Sequence, residues 1–451
     1  MAVVRYENDW KMIIEGIYCS CGCRHMTPNQ DIYVGEGLIS RLPEYIARRG
    51  LGKNCVLACD DNTYQIAGKA AAEALSAAGY SVTLCNMHRE GKFEPDERSV
   101  GEVLLSMTEK TELLIAVGSG SITDTVRVCA MRAGLPYCIV GTAPSMDGYT
   151  SVVAPLILRR VKIHRDAKPA ELIVCDLAVL ATAPLPMIAS GVGDVLGKYI
   201  ARAEWKISEL VTGETYCPVC GDMVKDAVTT LMENIPDIAK KTPRGIKILI
   251  EALLVSGTTI LMIGKTRAVA GVEHNIAHTW EMVQLLGGEI PPSHGAAVGA
   301  ATCICLPVFK RFMSEDLSLV DTKERVKNAF TYDEYRAAML KLYGNVAGEE
   351  LICENPPERL SDAEMAERLE RIKKNAVGIR AAIDELPSPE SVVSAMKALG
   401  APVTAAQLGI PERLEKLAMR YGVYYRARYS LFRLMEECGL ADKYLGNCDS
   451  L

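Results

Sequence analysis

Short apolar runs alternate with amphipathic stretches between residues 55 and 176, and this alternation predicts strands followed by helices. The strand-like runs are CVLAC (55–59), SVTLC (81–85), LLIAV (113–117), YCIVG (137–141) and ELIVCD (171–176). The helices predicted between the first four runs cover residues 64–78, 95–108 and 122–133, and Gly79 and Gly134 stop the first and the last. A series of this kind predicts a parallel sheet with helices on its faces.

From Gly191 onward the apolar positions recur at helical spacing, so the second part of the chain is predicted to be almost wholly helical. The Pro-interrupted segment ATAPLPMIAS, at residues 181–190, separates the two patterns. We therefore expect an α/β domain over residues 1–186 and a helical domain over residues 187–451. A chain of 451 residues exceeds what one hydrophobic core normally organises, which agrees with two domains.

The composition narrows the class of protein. The net charge is -6 and no block of Lys and Arg stands out, which argues against a nucleic-acid surface and favours a small-molecule partner. The amino terminus has no signal-peptide core, and the most apolar stretch, 246–264, carries Lys247 and Glu251 and is read as a buried helix. We expect a cytoplasmic protein without a membrane span, whose sixteen cysteines are mostly buried, reduced thiols.

Three of the six histidines lie between residues 270 and 299. His274 and His278 are four residues apart, so on a helix they project from one face. His294 follows Gly-Gly and Pro-Pro turns at the start of another predicted helix, and a helix-turn-helix return would bring it beside His274. Ordinary core or surface histidines are the alternative. The clustering, and the flanking glycines that permit close backbone approach, favour a site.

Two loops of the α/β part are placed where ligands bind. The loop GSGS at residues 118–121 lies between a strand and a helix, where backbone amides suit a phosphate. Thr123 replaces the third glycine of the dinucleotide fingerprint, so a plain tight turn is the alternative there. The hydroxyl-rich loop at residues 142–151 carries Asp147 and follows the next strand.

Other pairs and clusters allow two interpretations each. Asp194 and Lys198 share a helix face, where a solvated ion pair is the simple alternative to a site. Cys19, Cys21, Cys23 and His25 lie within seven residues; their C-x-C-x-C spacing is not that of a zinc ribbon, so an amino-terminal β-hairpin competes with a second metal site. The C-x-x-C pair at residues 217–220 favours buried structural thiols over a redox pair.

The motifs GSGSITD, TAPSMDGYTS, GVGDVLGKY, GVEHNIAH and SHGAAVG, in this order, resemble the sn-glycerol-1-phosphate dehydrogenases of the bacterial AraM type. These belong to a larger group with glycerol dehydrogenases, iron-type alcohol dehydrogenases and dehydroquinate synthases. The pattern of one Asp and two His is common to the whole group, whereas TAPSxDG and GDxxGK with a following Trp point to the glycerol-phosphate branch. The resemblance implies a Rossmann-like sheet followed by a helical, metal-binding domain of the dehydroquinate synthase-like type.

The resemblance also implies roles for individual residues. One divalent metal, zinc, nickel or iron, would be held by Asp194, His274 and His294, and substrate would contact His278 and Asp147. The expected catalytic set is therefore Asp147, Asp194 and His278. NAD(H) or NADP(H) would be bound through the adenine-side ribose at Asp60 and elsewhere by Gly118, Ser119, Gly120, Ser121, Ile122, Thr142, Ser145 and Ser151. Ser119 stands where the family has a second glycine.

The expected reaction is the NAD(P)H-dependent reduction of dihydroxyacetone phosphate to sn-glycerol 1-phosphate, and its reverse, a step of phospholipid biosynthesis. Two imidazoles and a carboxylate leave open positions on the metal for a ketone oxygen. His278, with an unperturbed pKa of about 6.5, would supply the proton. We also expect a homo-oligomer, a dimer or larger.

Two alternatives to this reaction remain. One is a dehydrogenase of the same fold that acts on glycerol or another small alcohol, because no clear phosphate clamp is visible and only Lys162 and Lys198 are candidates. The other is a non-catalytic nucleotide-binding protein, which should have lost a metal ligand.

Overall fold

A computed structural model describes residues 4–7, 10–14, 19–22, 25 and 29–448 of the chain. Its strands are β1 (Val4–Tyr6), β2 (Lys11–Ile14), β3 (Asp31–Gly35), β4 (Asn54–Cys59), β5 (Ser81–Asn86), β6 (Leu113–Gly118), β7 (Tyr137–Gly141), β8 (Val153–Leu158), β9 (Val161–Asp166) and β10 (Leu172–Asp176). Its helices are α1 (Leu42–Arg48), α2 (Asp61–Thr63), α3 (Lys69–Ala77), α4 (Glu97–Ser106), α5 (Gly120–Ala133), α6 (Leu177–Leu180), α7 (Leu185–Leu196), α8 (Lys198–Thr212), α9 (Pro218–Glu233), α10 (Ile235–Ala239), α11 (Pro243–Ile263), α12 (Val272–Gly287), α13 (His294–Phe312), α14 (Thr322–Lys327), α15 (Tyr332–Glu354), α16 (Asp362–Lys374), α17 (Ala376–Asp384), α18 (Pro389–Ala398), α19 (Glu412–Tyr421), α20 (Leu431–Glu437) and α21 (Ala441–Leu445).

The main sheet has eight strands in the order β1-β2-β3-β10-β7-β6-β4-β5. The strands from β3 to β5 in this order run parallel, as the alternating pattern predicted. The five predicted strands match β4, β5, β6, β7 and β10 to within one residue at each end. The helix predicted at 122–133 starts two residues earlier, and Gly134 ends it in the left-handed conformation.

One edge of the sheet, outside the predicted strand–helix series, is antiparallel. Strands β1 and β2 pair antiparallel with each other and with β3. Strands β8 and β9 form a separate antiparallel hairpin, which the sequence pattern did not reveal. Strand β8 contains Pro155 and β9 mixes polar with apolar residues. Strand β9 packs against α12 beside the histidines.

The sheet separates two apolar cores. The smaller core lies under α1 and α3 and includes Leu42, Tyr45, Leu57 and Leu75, all fully buried. The larger core continues from the other face of the sheet into the helices that follow β10. Because both faces are covered, the central strands are apolar at nearly every position, which is why they were readable as continuous apolar runs.

No strand follows β10 within residues 177–448, where the regular elements are helical. We propose the domain division between residues 186 and 187 on this change of architecture, since α7 begins at Leu185. Helices α11 and α13 are long and apolar enough to cross a membrane by length and composition, but 78% and 72% of their apolar windows are buried inside the protein. Both helices therefore serve as core helices, as the sequence predicted for 246–264.

Glycines bring α7 and α13 into close backbone contact. A Cβ atom on Gly193 would overlap the carbonyl oxygen of Gly295, and a Cβ atom on Gly295 would overlap the carbonyl oxygen of Ser190. Only glycine permits this approach. The contact places Asp194, the next residue of α7, close to His294, the first residue of α13.

Replacing Gly193 by Ala should lower stability by roughly 1–3 kcal/mol, because the new methyl group must push the two helices apart. The measurement is the urea midpoint of unfolding, followed by fluorescence, together with metal content. Gly101→Ala is the matched control, because Gly101 is also helical and nothing lies within 4 Å of its Cβ position. Equal midpoints and metal contents for the two variants would contradict this account of the helix contact.

Candidate metal and dinucleotide site

Asp194 is a buried carboxylate surrounded by donors. Lys198 Nζ donates to Asp194 Oδ1 at 2.6 Å, and the backbone N of Asp147 donates to Oδ2 at 3.0 Å. Burial alone would raise the pKa of Asp194, but Lys198 and His274 outweigh it and hold this pKa well below its usual range. The predicted Asp194–Lys198 pair is thus present, but both side chains are fully buried rather than solvated.

The two histidines predicted as metal ligands converge on this carboxylate. His274 Nε2 lies 3.4 Å from Asp194 Oδ1, and the ring centroids of His274 and His294 are 5.3 Å apart. The metal-binding atoms of all three residues lie within 4.8 Å of one another. The helix-turn-helix return expected from the sequence is therefore present, with α12 and α13 as its two helices.

A carboxylate orients each of these imidazoles. His274 Nδ1 lies 2.6 Å from Glu273 Oε1, and His294 Nδ1 lies 2.9 Å from Glu281 Oε1. A carboxylate on Nδ1 fixes the ring and leaves Nε2 as the basic atom, which is the usual outer shell of a metal-binding histidine. Two nitrogens and one carboxylate so oriented fit a divalent cation with open coordination positions.

His278 lies one turn after His274 and outside this set of three. Its Nδ1 lies 3.4 Å from Glu281 Oε2, and its ring stacks on His294 with centroids 5.0 Å apart. Burial, and then the charge of Lys162, lower the pKa of His278 well below 6.5. The sequence alone supported only the unperturbed value of about 6.5, because it showed neither this burial nor the position of Lys162.

Several residues of the site escaped the sequence analysis. Glu281 forms an ion pair with Lys162 of β9, and His164 of the same strand lies 5.6 Å from His278 between ring centroids. The sequence could have indicated Glu281, because it follows His274 by seven residues and therefore lies on the same helix face. Arg426 lies far along the chain and has no local motif that marks it.

The site opens into a cavity of about 730 Å³, a size typical of cofactor and small-molecule sites. His274, His278, His294 and Asp147 line it, whereas Asp194 and Lys198 lie behind this lining. The predicted cofactor residues that also line it are Asp60, Ser119, Gly120, Ser121, Ile122, Thr142, Ser145 and Ser151. Gly118 does not line the cavity; it ends β6, where a side chain would overlap Ile122.

The loop before α5 suits an anion. Ser119 is the N-cap of this 14-residue helix but makes no side-chain cap hydrogen bond. Its Oγ instead lies 2.6 Å from Ser145 Oγ, which joins the two ligand-facing loops. The first-turn N–H groups at the positive end of α5 are therefore available to a phosphate. Asp60 also lines the cavity, and its Oδ1 caps α2 by accepting from Thr63 N at 2.7 Å.

Comparison with known proteins first identifies the class of proteins that the chain resembles. The family of iron-containing alcohol dehydrogenases matches residues 33–184. The fold is similar to crystal structures of glycerol dehydrogenase from Schizosaccharomyces pombe (16% identity, TM-score 0.59, 93% of this chain and 90% of that chain) and of NADH-dependent butanol dehydrogenase A from Thermotoga maritima (16%, 0.59, 94% and 100%). The fold class expected from the sequence is confirmed.

Curated relatives narrow the family. The chain is 36% identical over 295 residues to glycerol-1-phosphate dehydrogenase (NAD(P)+) of Halalkalibacterium halodurans, covering 65% of this chain and 74% of that protein. It is 30% identical over 420 residues to the enzyme of the same name from Geobacillus stearothermophilus, covering 92% and 94%. The chain therefore belongs to the glycerol-1-phosphate dehydrogenase family, which confirms the resemblance seen in its motifs.

Replacing His274 by Ala should remove one equivalent of divalent metal per chain, because only Asp194 and His294 of the three donors remain. Elemental analysis of zinc-loaded protein after gel filtration measures this loss. His88→Ala is the control, since its side chain is 73% exposed on the surface. A folded His274→Ala protein with the metal content of the wild type would refute the assignment of His274 as a metal ligand.

Proposed function

We propose that the protein reduces dihydroxyacetone phosphate to sn-glycerol 1-phosphate with NADH or NADPH, and catalyses the reverse oxidation. One observation carries this proposal: a single cavity joins the Asp194–His274–His294 donor set to the start of α5 and to a group of cationic side chains. The reaction needs these three features, for a ketone oxygen, a dinucleotide phosphate and a substrate phosphate respectively. The names of the curated relatives agree with it.

Asp194, His274 and His294 would hold the divalent cation, and the loop before α5, Thr142, Ser145, Ser151 and Asp60 would hold the dinucleotide. When bound, the cation supplies a Lewis acid for the ketone oxygen and the nicotinamide supplies a hydride. The two carboxylates face Nδ1 of each histidine, which leaves the Nε2 atoms for the cation. The donor set of Asp194, His274 and His294 suits zinc, nickel or iron.

The substrate oxygen must gain a proton when the ketone is reduced. His278 lines the cavity one turn from His274, and its Nδ1 faces Glu281. The other ring nitrogen, Nε2, is therefore the atom that would pass a proton to the substrate oxygen, directly or through water. Because the pKa of His278 is lowered and Glu281 accepts from Nδ1–H, the resting ring is neutral with a bare Nε2. Nε2 would accept the alcohol proton in the oxidation, and in the reduction it would take a proton from water and pass it on to the substrate oxygen.

Cationic side chains give the cavity a place for the substrate phosphate. Lys198 is not one of them, since it is buried between Asp147 and Asp194 and lies 2.8 Å from Asp147 Oδ2. Lys162 and Arg426 both line the cavity near His164. Burial has the largest effect in lowering the pKa of His164, and the positive charges of Arg426 and Lys162 lower it further. Arg426 donates to the neutral amide oxygen of Asn355 at 3.1 Å, so its charge remains available to an anion.

The cellular setting is also part of the proposal. None of the cysteines within residues 19–22 and 29–448 forms a disulfide, and most are buried, which supports a reducing, cytoplasmic compartment. Assembly into a dimer or a larger homo-oligomer rests on the family resemblance, and sedimentation of the purified protein as a monomer would refute it. A role in phospholipid biosynthesis follows from the proposed product.

The function is tested by assaying dihydroxyacetone phosphate, dihydroxyacetone and glycerol with each cofactor. We expect the highest kcat/KM with dihydroxyacetone phosphate, and sn-glycerol 1-phosphate as the product by chiral analysis. Arg426→Gln should lower kcat/KM for the phosphorylated ketone roughly 10- to 100-fold, because one charged hydrogen bond contributes about 1.5–3 kcal/mol. Its kcat/KM for dihydroxyacetone should change little.

Arg165→Gln is the matched control, since Arg165 lies on the same hairpin as Lys162 but faces a separate surface groove and pairs with Glu354. Preference for an unphosphorylated substrate would favour a glycerol or small-alcohol dehydrogenase instead. Formation of the 3-phosphate enantiomer would overturn the stereochemical part.

Replacing His278 by Ala should lower kcat roughly 10²- to 10⁴-fold, the range expected when a general acid is lost. Metal content and dinucleotide binding should stay near the wild-type values, because Asp194, His274 and His294 remain. Loss of metal in proportion to activity would instead make His278 a ligand, in the alternative donor set His278–Glu281–His294. Near-normal turnover would show a purely structural residue.

A further inference from the structure

A second cluster of metal-binding side chains lies outside the catalytic cavity. Cys19, Cys21 and His25, from the segment that follows β2, meet Cys217 at the start of α9. The ligand atoms of these four residues all lie within 4.8 Å of one another, and none of the four lines the cavity. Cys23, which the sequence analysis grouped with them, lies outside the described residues.

The distances match a four-coordinate site. Cys19 Sγ lies 3.4 Å from Cys217 Sγ, and His25 Nε2 lies 3.2 Å from Cys217 Sγ and 3.3 Å from Cys21 Sγ. With Zn–S bonds of about 2.3 Å, tetrahedral geometry separates two sulfur ligands by roughly 3.8 Å. A small adjustment therefore admits a cation at the centre, and thiols alone are too weak as hydrogen-bond partners to account for such convergence.

Two backbone amides donate to sulfur atoms of the cluster. The N–H of Cys21 donates to Cys19 Sγ at 3.4 Å, and the N–H of Cys220 donates to Cys217 Sγ at 3.4 Å. Cys217 is also the N-cap of the 16-residue helix α9, where the helix dipole stabilises negative charge. Cys220 thus contributes its amide, while its partner in the C-x-x-C pair contributes a sulfur.

We propose that Cys19, Cys21, His25 and Cys217 bind a second divalent cation of the zinc type, in a closed site with a structural role. Three cysteines and one histidine form a complete tetrahedral set with no position left for substrate. Binding deprotonates the three thiols, and the protons leave to solvent. The expectation of buried structural thiols at 217–220 is extended in this way, because only the fold brings residues 19 and 217 together.

The site would fasten the amino-terminal segment to the helical part of the protein. This segment continues from β2, at the antiparallel edge of the main sheet, whereas α9 packs against α8 and α11. A cation there closes a loop of 198 residues between Cys19 and Cys217. Such a closure restricts the unfolded chain and so stabilises the folded one.

X-ray absorption at the zinc edge tests the proposal on the full-length, tag-free protein purified under reducing conditions. The catalytic donor set contains no sulfur, so sulfur scattering near ~2.3 Å must come from the cysteine site. We expect two zinc equivalents per chain and this sulfur shell in the wild type. The His274→Ala variant should keep one equivalent, with the sulfur shell intact.

Cys217→Ser should lose one zinc equivalent and the sulfur shell while the nitrogen and oxygen shell remains. Its activity per catalytic zinc should change little, and proteolysis near the amino terminus should become faster. Cys353→Ser, which replaces an exposed cysteine outside the cluster, is the matched control and should keep both equivalents. A wild-type spectrum with nitrogen and oxygen scatterers only, or a disulfide joining Cys19 to Cys217, would overturn the proposal. Because the wild-type spectrum decides the question, misfolding of a variant would not affect the outcome.

Discussion

The buried charge of Asp194 constrains the rest of the site. An ionised carboxylate without exposed surface is stable only when charge and hydrogen bonds compensate it, and removal of one partner from such a pair costs about 3–5 kcal/mol. Lys198 supplies the charge and the amide of Asp147 supplies a hydrogen bond to the other oxygen. Asp147 belongs to the loop after β7 and Lys198 begins α8. The contacts of these two residues with Asp194 therefore also hold the sheet against the helices.

A second buried acid positions the helix that carries the histidines. Gly271, the N-cap of α12, has no side chain, and Glu204 Oε2 from α8 accepts the N–H of Val272 at 2.9 Å in its place. Glu204 Oε1 also accepts the N–H of Leu431 at 2.9 Å, which ties the carboxyl-terminal segment to the same point. Arg426 comes from this segment. Glu204 therefore links the segment that carries Arg426 to the helix that carries His274 and His278.

The sequence predicted those elements whose hydrophobic pattern along the chain matches the way they are buried in the fold. The central strands were predictable because they are covered on both faces, and the return of His294 to His274 was predictable from a helix spacing and a turn. Strands β1 and β2 are only three and four residues long, β9 mixes polar with apolar residues, and the apolar run of β8 is interrupted by Pro155, so all four lack a continuous apolar signal. The pairing of Cys19 with Cys217 and the approach of Arg426 depend on contacts between distant parts of the chain, for which a single sequence contains no spacing rule.

Glu281 contacts three residues to which different tasks are proposed. Its Oε1 orients His294, the proposed metal ligand, while Oε2 faces His278 and forms the ion pair with Lys162. Burial alone would raise the pKa of Glu281, but Lys162 and His294 outweigh it and hold this pKa well below its usual range, so the carboxylate stays charged. A shift of Lys162 toward a bound anion would pull on the oxygen that His278 faces, within the same rigid carboxylate that orients His294. With the proposed roles of these residues, Glu281 would couple the geometry of the metal ligands to the position of the substrate anion.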